Sequence, residues 1–499
     1  MRHALLLSVF VIASCGLAYE LVAGALSSYL LGDSVMQFST VIGAYLFAMG
    51  VGSWLSKYIV RDLIGMFVRI ELLVGLLGGF AALGLFLAFV WLPAPFRLLL
   101  YLAVFLIGVL VGLEIPLVMR ILKREIEFKD LVSQVLTFDY LGALAVSLLF
   151  PLFLAPHLGM LRTGLLFGLL NVAVALWALR LFADQLPARR WLTLQAWAVF
   201  LLLAAGFAGA GRLTSLAEAQ IYADEIVHAE TTPYQRLVVT RWRDDLRLFI
   251  NNNLQFSSHD EYRYHEALVH PGLAALPWAR RVLVLGGGDG LAVREILKYP
   301  QIEAVTLVDL DAAMTELFAT APALVELNQA SLSSPRVKVV NADALVWLEQ
   351  NREHFDFIVV DFPDPSNFAL GKLYTSAFYR LLEKRLAANG LIVVQSTSPL
   401  YARQSFWCVV TTLEEAGLQT APYHALVPSF GEWGYILAGR QKMAFSTVDR
   451  EKTRFLTPET LPGLFVFPAD MARLPVEPNR LNNQALVRYF EEEWRRVIR

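Results

Sequence analysis

Cysteine is scarce in this sequence: its 499 residues include only Cys15 and Cys408. Two such cysteines indicate neither a disulfide framework nor a cysteine-ligated zinc site, and the histidines show no ligand cluster for a metal. An excess of charge is also missing, because 42 Lys and Arg residues oppose 44 Asp and Glu residues and leave a net charge of −2. Nucleic-acid-binding domains are normally basic, so this balance argues against that class.

Hydrophobic residues, in contrast, are abundant and unevenly distributed. They make up 56% of the chain, more than in an average soluble protein. Seven apolar runs have about the length that crosses a ~30 Å hydrocarbon core. They lie near 4–31, 37–56, 66–92, 96–119, 136–157, 163–183 and 191–210. The first run is too long for a cleavable signal peptide. The sequence therefore predicts a multi-span α-helical domain over 1–212, in the cell membrane.

Four acidic residues lie within these runs: Glu20, Glu71, Glu114 and Asp139. Carboxylates inside a membrane are costly and often functional. Hydrogen bonding between helices, or a position near the membrane surface, is the favoured interpretation, and a role in transport or ligand binding is the alternative.

After Gly211 the composition changes to that of a globular domain. Two β-like runs, 236–242 and 246–250, are joined by a polar turn and predict a small hairpin domain. A segment rich in polar and aromatic residues follows, and on a helix Glu261, Tyr264 and His265 would share one face. The predicted small β domain with its polar helix covers 213–270.

Residues 281–311 predict the central unit of the chain. A buried strand at 282–285 leads into Gly286, Gly287 and Gly288, a helix follows, and a second strand ends on Asp309. Glycines let the backbone turn sharply and approach a ligand where a Cβ would clash. The acid after the second strand suits the two hydroxyls of a ribose, so the unit predicts a nucleoside site. A glycine turn used only for packing is the alternative.

Strands and helices continue to alternate after this unit. Further strands are predicted at 337–340, 357–360 and 391–395, then at 424–430 and 433–438. This alternation predicts a doubly wound, Rossmann-like parallel sheet of the class I methyltransferase type over 271–445, with a C-terminal extension over 446–499. Ligands bind at the carboxyl ends of such strands, which are followed here by four acids: Asp289, Asp309, Asp343 and Asp361.

A rim of acids without a nearby Lys or Arg cluster disfavours a phosphate ligand. It favours a nucleoside that is otherwise cationic, such as decarboxylated S-adenosylmethionine, which has a sulfonium and an ammonium group. S-adenosylmethionine itself carries a carboxylate, which Asp289 should repel. The pattern therefore favours aminopropyl transfer over methyl transfer.

Several of these segments, taken in series, resemble a known family. They are GGGDG with Arg294 and Glu295 after it, DEYRYHEALVH before it, the acid after the second strand, NADA and DFPDP. Together they resemble the spermidine synthase (polyamine aminopropyltransferase) family over about residues 220–440. PSFGEWG and the apolar N-terminal half resemble the membrane-embedded branch of that family.

The resemblance implies a role for each matching residue. Asp361 is implied to be the general base that takes a proton from the attacking amine. The residues implied to lie along the amine and aminopropyl groups are Tyr264, His265, Asp289 and Asp364. Those implied to hold the nucleoside are Gln255, Gly286, Gly288, Asp309, Asp343 and Ala344, with Asp309 on the ribose and Asp343 and Ala344 on the adenine.

The implied reaction moves the aminopropyl group of decarboxylated S-adenosylmethionine, a co-substrate, to a diamine. Putrescine is the default acceptor, and the products are spermidine and methylthioadenosine, without a metal or other cofactor. Two departures affect the acceptor end. Phe362 and Pro363 stand where the soluble enzymes have small hydroxyl residues, and a tyrosine expected before the Gly-x-Trp-Gly segment has no clear counterpart.

Alternatives remain open at this stage. A membrane-anchored S-adenosylmethionine-dependent methyltransferase would share the fold, and a polyamine transporter or sensor would use the domain for binding only. Expected partners are a polyamine, a nucleoside sulfonium and the lipid bilayer, and a homo-oligomer is an open alternative to a monomer.

The side of the membrane is a separate question. Basic residues such as Lys57, Arg120 and Arg189 follow the second, fourth and sixth apolar runs. By the positive-inside rule, seven full spans would then leave the catalytic domain outside. A domain that uses a cytosolic nucleoside is nevertheless expected in the cytoplasm. A re-entrant segment at 136–157 would resolve the conflict.

Overall fold

The computed structural model describes residues 2–31, 34–92, 94–123, 127–222, 224–443 and 447–497. They form two compact units, Met1–Ile226 and Val227–Arg499. The predicted boundary at 445/446 lies outside the described residues.

Long α-helices make up most of the first unit. They are α1 (Arg2–Leu31), α2 (Ser34–Leu55), α3 (Leu63–Trp91), α4 (Phe96–Leu122), α5 (Phe128–Leu149), α6 (Gly159–Leu181) and α7 (Arg189–Ile221). Among the described residues, six helical runs have the length and apolar composition of a membrane span. One of them, Lys129–Leu181, has 53 residues and includes two predicted spans.

The backbone changes form between α5 and α6. The segment Phe150–Leu158 is π-helical and contains Pro151 and Pro156. Proline has no N–H to donate, which disturbs regular α-helical bonding and favours a local rearrangement. Gly159, with φ of +74°, then redirects the chain into α6.

Small residues bring α2 and α4 into backbone contact. A Cβ added at Gly52 would lie 2.0 Å from the carbonyl oxygen of Val109, and one added at Gly112 would lie 2.2 Å from that of Met49. Close packing through small residues is typical of helices that associate in lipid.

A four-stranded sheet follows the helices: β1 (Glu225–Thr231), β2 (Arg236–Trp242), β3 (Asp245–Ile250) and β4 (Asn253–Ser257), in that order. The predicted hairpin corresponds to β2 and β3, which pair antiparallel. The prediction of a hairpin alone was wrong, because β1 and β4 extend it on both sides. β1 is polar and mostly exposed, and β4 has only five residues, so neither shows a long apolar alternation from which a strand is predicted.

The rest of the second unit alternates helices and strands. Its helices are α8 (Glu261–Ala274), α9 (Leu291–Leu297), α10 (Ala312–Thr320), α11 (Pro322–Leu327), α12 (Ala344–Gln350), α13 (Phe368–Gly371), α14 (Ser376–Arg385), α15 (Arg403–Glu415) and α16 (Ala485–Val497). Its strands are β5 (Arg281–Gly286), β6 (Ala304–Asp309), β7 (Val337–Asn341), β8 (Phe355–Asp361), β9 (Leu386–Gln395), β10 (Gln419–Val427) and β11 (Gly431–Gly439).

These seven strands form one mixed sheet in the order β10-β11-β9-β8-β5-β6-β7. The five strands from β5 to β9 are parallel, as predicted. The prediction of a wholly parallel sheet was wrong, since β11 runs antiparallel to both β9 and β10. Only residues 428–430 connect β10 to β11, and so short a connection forces a hairpin.

Both faces of the sheet are covered. Val282 and Val284 of β5 pack in one hydrophobic cluster with α8, α9 and α10. Leu283 and Leu285 pack in a second cluster with α14, α15 and α16. Strands buried on both faces are continuous apolar runs, and their carboxyl ends lie together at one edge. The candidate site is at that edge.

Candidate active site

The glycine-rich turn after β5 brings the ends of three strands together. Gly286 and Gly287 have φ of +77° and +63°, which glycine adopts without strain. A Cβ added at Gly286 would lie 2.2 Å from the carbonyl oxygen of Asp361, and one added at Gly288 would lie 2.7 Å from Oδ2 of Asp309. A side chain at Gly286 would therefore clash with the backbone of β8, and one at Gly288 would displace the Asp309 carboxylate.

Asp309 is held as an oriented hydrogen-bond acceptor at the end of β6. Its Oδ2 accepts the N–H of Gly288 at 3.1 Å, and its Oδ1 accepts the N–H of Asp311 at 2.9 Å. Burial nevertheless raises the pKa of Asp309 to about 6. A carboxylate fixed in this way can accept hydrogen bonds from two neighbouring hydroxyl groups.

The next acid, Asp289, is buried beside the same turn. Its Oδ1 accepts the N–H of Leu291 at 2.9 Å. Burial raises its pKa to about 6; the positive charge of His265 opposes this rise and the negative charge of Asp361 adds to it. Asp289, His265 and Asp361 therefore lie within electrostatic range of one another.

Asp361 ends β8 opposite helix α8. Its Oδ1 accepts a hydrogen bond of 2.6 Å from the Tyr264 hydroxyl. Its Oδ2 lies on the side of Gly287, where an added Cβ would be only 3.0 Å away. Burial raises the pKa of Asp361, although His265 and the Tyr264 hydrogen bond lower it. The arrangement fixes one oxygen of this carboxylate and leaves the other for a ligand.

Asp364 lies three residues further on. Its Oδ1 has no hydrogen-bond partner among the described residues. Burial raises the pKa of Asp364 to about 7, although hydrogen bonds from Thr397 and Gln395 to the carboxylate oppose this rise. The intervening Phe362 and Pro363 are held through their carbonyl oxygens, to which the Tyr374 hydroxyl donates at 3.2 and 3.1 Å. Gln395 also donates to the carbonyl oxygen of Phe362. Backbone contacts thus fix the loop between the two acids.

A buried network of ion pairs stabilises helix α8. Nδ1 of His265 contacts Glu261 Oε2 at 2.8 Å, and Glu261 also binds Arg294 through both oxygens, at 2.8 and 2.9 Å. Burial alone would lower the pKa of His265, but Glu261 raises it to about 9. His265 is therefore cationic at neutral pH. Sequence reasoning placed Glu261 on the helix face of Tyr264 but did not include it in the site.

The predicted adenine end differs from expectation. Asp343 caps α12 by accepting the N–H of Leu345 at 2.8 Å, and it pairs with Lys372 at 2.9 Å. The expectation of acids without a nearby base was therefore wrong for Asp343. Ala344 is buried as the first residue of α12. Gln255 donates to Asn253 in its own strand, at 3.1 Å, so this hydrogen bond does not join it to the other predicted residues.

At the predicted acceptor end, Tyr264 is surrounded by aromatic residues to which the sequence assigned no role. The Tyr264 ring lies 6.2 Å from that of Phe430 and 5.6 Å from that of Tyr435. Nε1 of Trp433 donates to Gln395 at 3.2 Å. The buried Tyr435 hydroxyl has no hydrogen-bond partner among the described residues. Tyr435 lies just after the Gly-x-Trp-Gly segment, whereas the resemblance placed a tyrosine before it.

The acids at the strand ends carry more negative charge than the nearby bases balance, because Lys372 pairs with Asp343 and the cationic His265 acts on both Asp289 and Asp361. Among the described ion pairs, none includes Asp289, Asp361 or Asp364, and no group of three or more His, Cys, Asp or Glu side chains there could hold a metal. Such an edge suits a cationic ligand that also has vicinal hydroxyl groups.

Comparison with known proteins gives consistent matches. Residues 261–452 match the family described as "Spermine/spermidine synthase domain". The chain is 63% identical to polyamine aminopropyltransferase 2 of Ralstonia nicotianae, over 99% of each chain. It is 53% identical to the polyamine aminopropyltransferase of Leptospira interrogans, over the full length of both. Among solved structures, the spermidine synthase of Thermotoga maritima aligns with 54% of this chain and 87% of its own, at 21% identity and a TM-score of 0.41.

Proposed function

This chain belongs to the spermine/spermidine synthase family, and from this premise we propose that it is a polyamine aminopropyltransferase. It transfers the aminopropyl group of decarboxylated S-adenosylmethionine to a diamine, putrescine by default. The products are spermidine and methylthioadenosine.

The observation that carries the proposal is the pair of acids after β8. Tyr264 holds one oxygen of Asp361, and Asp364 has an oxygen without a partner among the described residues. A protonated amine cannot attack, so a base must remove a proton as the C–N bond forms. Asp361 takes this proton through its free oxygen, while Asp364 binds the substrate ammonium and orients the amine.

The donor lies across the glycine turn in this proposal. Asp309 accepts hydrogen bonds from the ribose hydroxyls, and Asp289 attracts the ammonium of the aminopropyl chain. The raised pKa values of both acids, each about 6, are consistent with sites that gain from a cationic ligand. Attack at the carbon next to the sulfonium releases methylthioadenosine as a neutral leaving group. The bound cations supply the positive counter-charge that these carboxylates lack within the protein.

The enzyme is anchored in the cell membrane by its helical unit and acts on the cytoplasmic side. Six helical runs of suitable length and composition support the anchoring. Six crossings would return the chain to the side of its N-terminus, which requires that the run Lys129–Leu181 crosses the membrane only once, with 136–157 re-entrant. Reporter fusions at the C-terminus test this part: activity of a periplasmic reporter there would contradict it.

The test of the activity uses the purified full-length chain in detergent. Decarboxylated S-adenosylmethionine and a panel of diamines are supplied, and methylthioadenosine is followed. Amine-dependent release, strongly reduced in Asp361→Asn, is expected. A chain that releases no methylthioadenosine but methylates an acceptor from S-adenosylmethionine would refute the proposal in favour of a methyltransferase.

A further inference from the structure

The interior of the helical unit contains two carboxylic acids that the proposed reaction does not use. Glu71 on α3 and Glu114 on α4 both have 0% of their surface exposed. An ionised carboxylate is costly in an apolar interior unless a counter-charge or hydrogen bonds compensate it. Each of these two side chains therefore requires a proton, a hydrogen-bond donor or a counter-charge.

A short chain of hydrogen bonds reaches one of the two carboxylate oxygens of Glu71. The Tyr19 hydroxyl of α1 donates to Oδ1 of Asn171 on α6 at 2.7 Å. Nδ2 of Asn171 then donates to Oε2 of Glu71, also at 2.7 Å. The other oxygen of Glu71, Oε1, has no partner among the described residues. One oxygen is thus fixed in place and the second is available.

Glu114 has no such support. Neither of its carboxylate oxygens has a hydrogen-bond partner in the described part of the chain. Glu114 interacts electrostatically with Glu71, and both acids interact with Cys15 and Tyr19 of α1. Three unpartnered oxygens from two acids thus belong to one buried cluster.

Among the described residues, basic side chains do not supply the missing charge. Arg69, two residues before Glu71, lies 3.8 Å from Asp62. Arg120, on the helix of Glu114, donates to the carbonyl oxygen of Ser56 at 3.0 Å. Glu71 and Glu114 take part in none of the described ion pairs. The counter-charge must therefore be a proton or a bound cation.

Close packing holds the cluster in place. Gly75 and Gly78 follow Glu71 by four and seven residues and share its face of α3. A Cβ at Gly75 would lie 2.9 Å from the carbonyl oxygen of Gly168, and one at Gly78 would lie 2.6 Å from the Tyr19 ring. Glu71 is thus presented by a helix that lies in close contact with α1 and α6.

We propose that the cluster of Glu71, Glu114, Asn171 and Tyr19 binds one ammonium group of a protonated di- or triamine. An ammonium group donates three hydrogen bonds, which matches the three unpartnered carboxylate oxygens. A metal such as Ca²⁺ requires six or more oxygen ligands, and here the backbone carbonyl groups of regular helices are already bonded. The choice of an amine over other organic cations rests on the proposed function, because the enzyme handles such amines.

The test measures equilibrium binding of radiolabelled spermidine and putrescine to the full-length chain in lipid nanodiscs. A background with Asp361→Asn and Asp364→Asn removes amine binding at the catalytic site. In this background one saturable site is expected. Glu114→Gln, and separately Glu71→Gln, should each weaken it about tenfold or more, since each replaces a charged acceptor with a neutral one of equal size. Glu127→Gln is the matched control, because Glu127 is 77% exposed in the same unit.

Several outcomes would overturn the inference. They are absence of saturable binding in the background, binding unaffected by both glutamine variants, or displacement of the amine by Na⁺ or K⁺ at equal concentration. Thermal unfolding shows whether a glutamine variant is folded. If one of the two is not, the binding measured for the other glutamine variant tests the proposal. Release of methylthioadenosine by the wild-type chain is a separate assay and tests the proposed function alone.

Discussion

Replacement of Asp364 by asparagine should stabilise the second unit while weakening amine binding. The raised pKa of Asp364, about 7 in place of 3.8, means that the folded chain disfavours the ionised form. Between pH 4 and 7 the folded state therefore binds more protons than the unfolded state, and stability falls as pH rises. Asparagine has nearly the same size and no charge, so it removes this pH-dependent penalty.

The size of the expected stabilisation follows from the pKa shift of Asp364. One pKa unit corresponds to about 1.4 kcal/mol, so a shift of about three units gives an upper estimate of about 4 kcal/mol at pH above 7. Solvent screening of a half-buried group reduces this to about 2–3 kcal/mol. For a unit of this size each kcal/mol shifts the unfolding midpoint by about 2–4 °C, so a rise of about 5–10 °C is expected at pH 8.

Scanning calorimetry of the full-length chain provides the measurement. The unfolding transition of the second unit is the one whose midpoint temperature rises when methylthioadenosine is added. The unfolding midpoint of Asp364→Asn should equal that of the wild type near pH 4 and exceed it by an increasing amount up to pH 7. The control Glu349→Gln, on the exposed face of α12, should show no such pH-dependent difference. A difference that is the same at pH 4.5 and pH 8, or a variant less stable than the wild type at pH 8, would refute the reasoning.

Three further substitutions test the other acids. Asp361→Asn should lower kcat by about 10²–10⁴-fold and keep methylthioadenosine affinity, as calorimetric titration and turnover assays would show; near-normal turnover would remove Asp361 from the role of base. Asp309→Ala should raise the donor KM and spare kcat, and the reverse pattern would contradict its ribose role. Asp289→Asn should reduce the preference for decarboxylated S-adenosylmethionine over S-adenosylmethionine, because it removes the repulsion between Asp289 and the carboxylate of the latter. Like charges 4 Å apart repel by about 4 kcal/mol at an effective dielectric of about 20. Equal wild-type affinity for both donors would contradict this last assignment.

Local patterns explain which parts of the fold could be predicted. The strands β5, β6 and β8 are apolar runs buried on both faces, and each is followed by an acid that lies at the same edge of the sheet. The glycines before Asp289 are required by positive φ and by contact with Asp361 and Asp309. These features depend on neighbours in sequence or on a general property of parallel sheets, so a single sequence is sufficient to predict them.

Pairings between distant residues could not be predicted in the same way. Lys372 reaches Asp343 across 29 positions, and Arg294 reaches Glu261 across 33. Neither pair leaves a periodic pattern, because each depends on how helices pack on the finished sheet. The direction of β11 likewise depends on its partner β9, which precedes it by a helix and a further strand.

The contrast between paired and unpaired acids explains where the chain has room for a cation. Elsewhere in the second unit buried acids are matched: Glu261 by Arg294, Glu295 by Lys298 and His270. The fold can therefore supply counter-charges where structure alone requires them. Asp289 and Asp364 instead have raised pKa values, which reduces stability at neutral pH. Within the second unit, acids left uncompensated near the strand ends are explained if a cationic ligand completes them, and aminopropyl transfer from a sulfonium donor to an amine supplies such ligands.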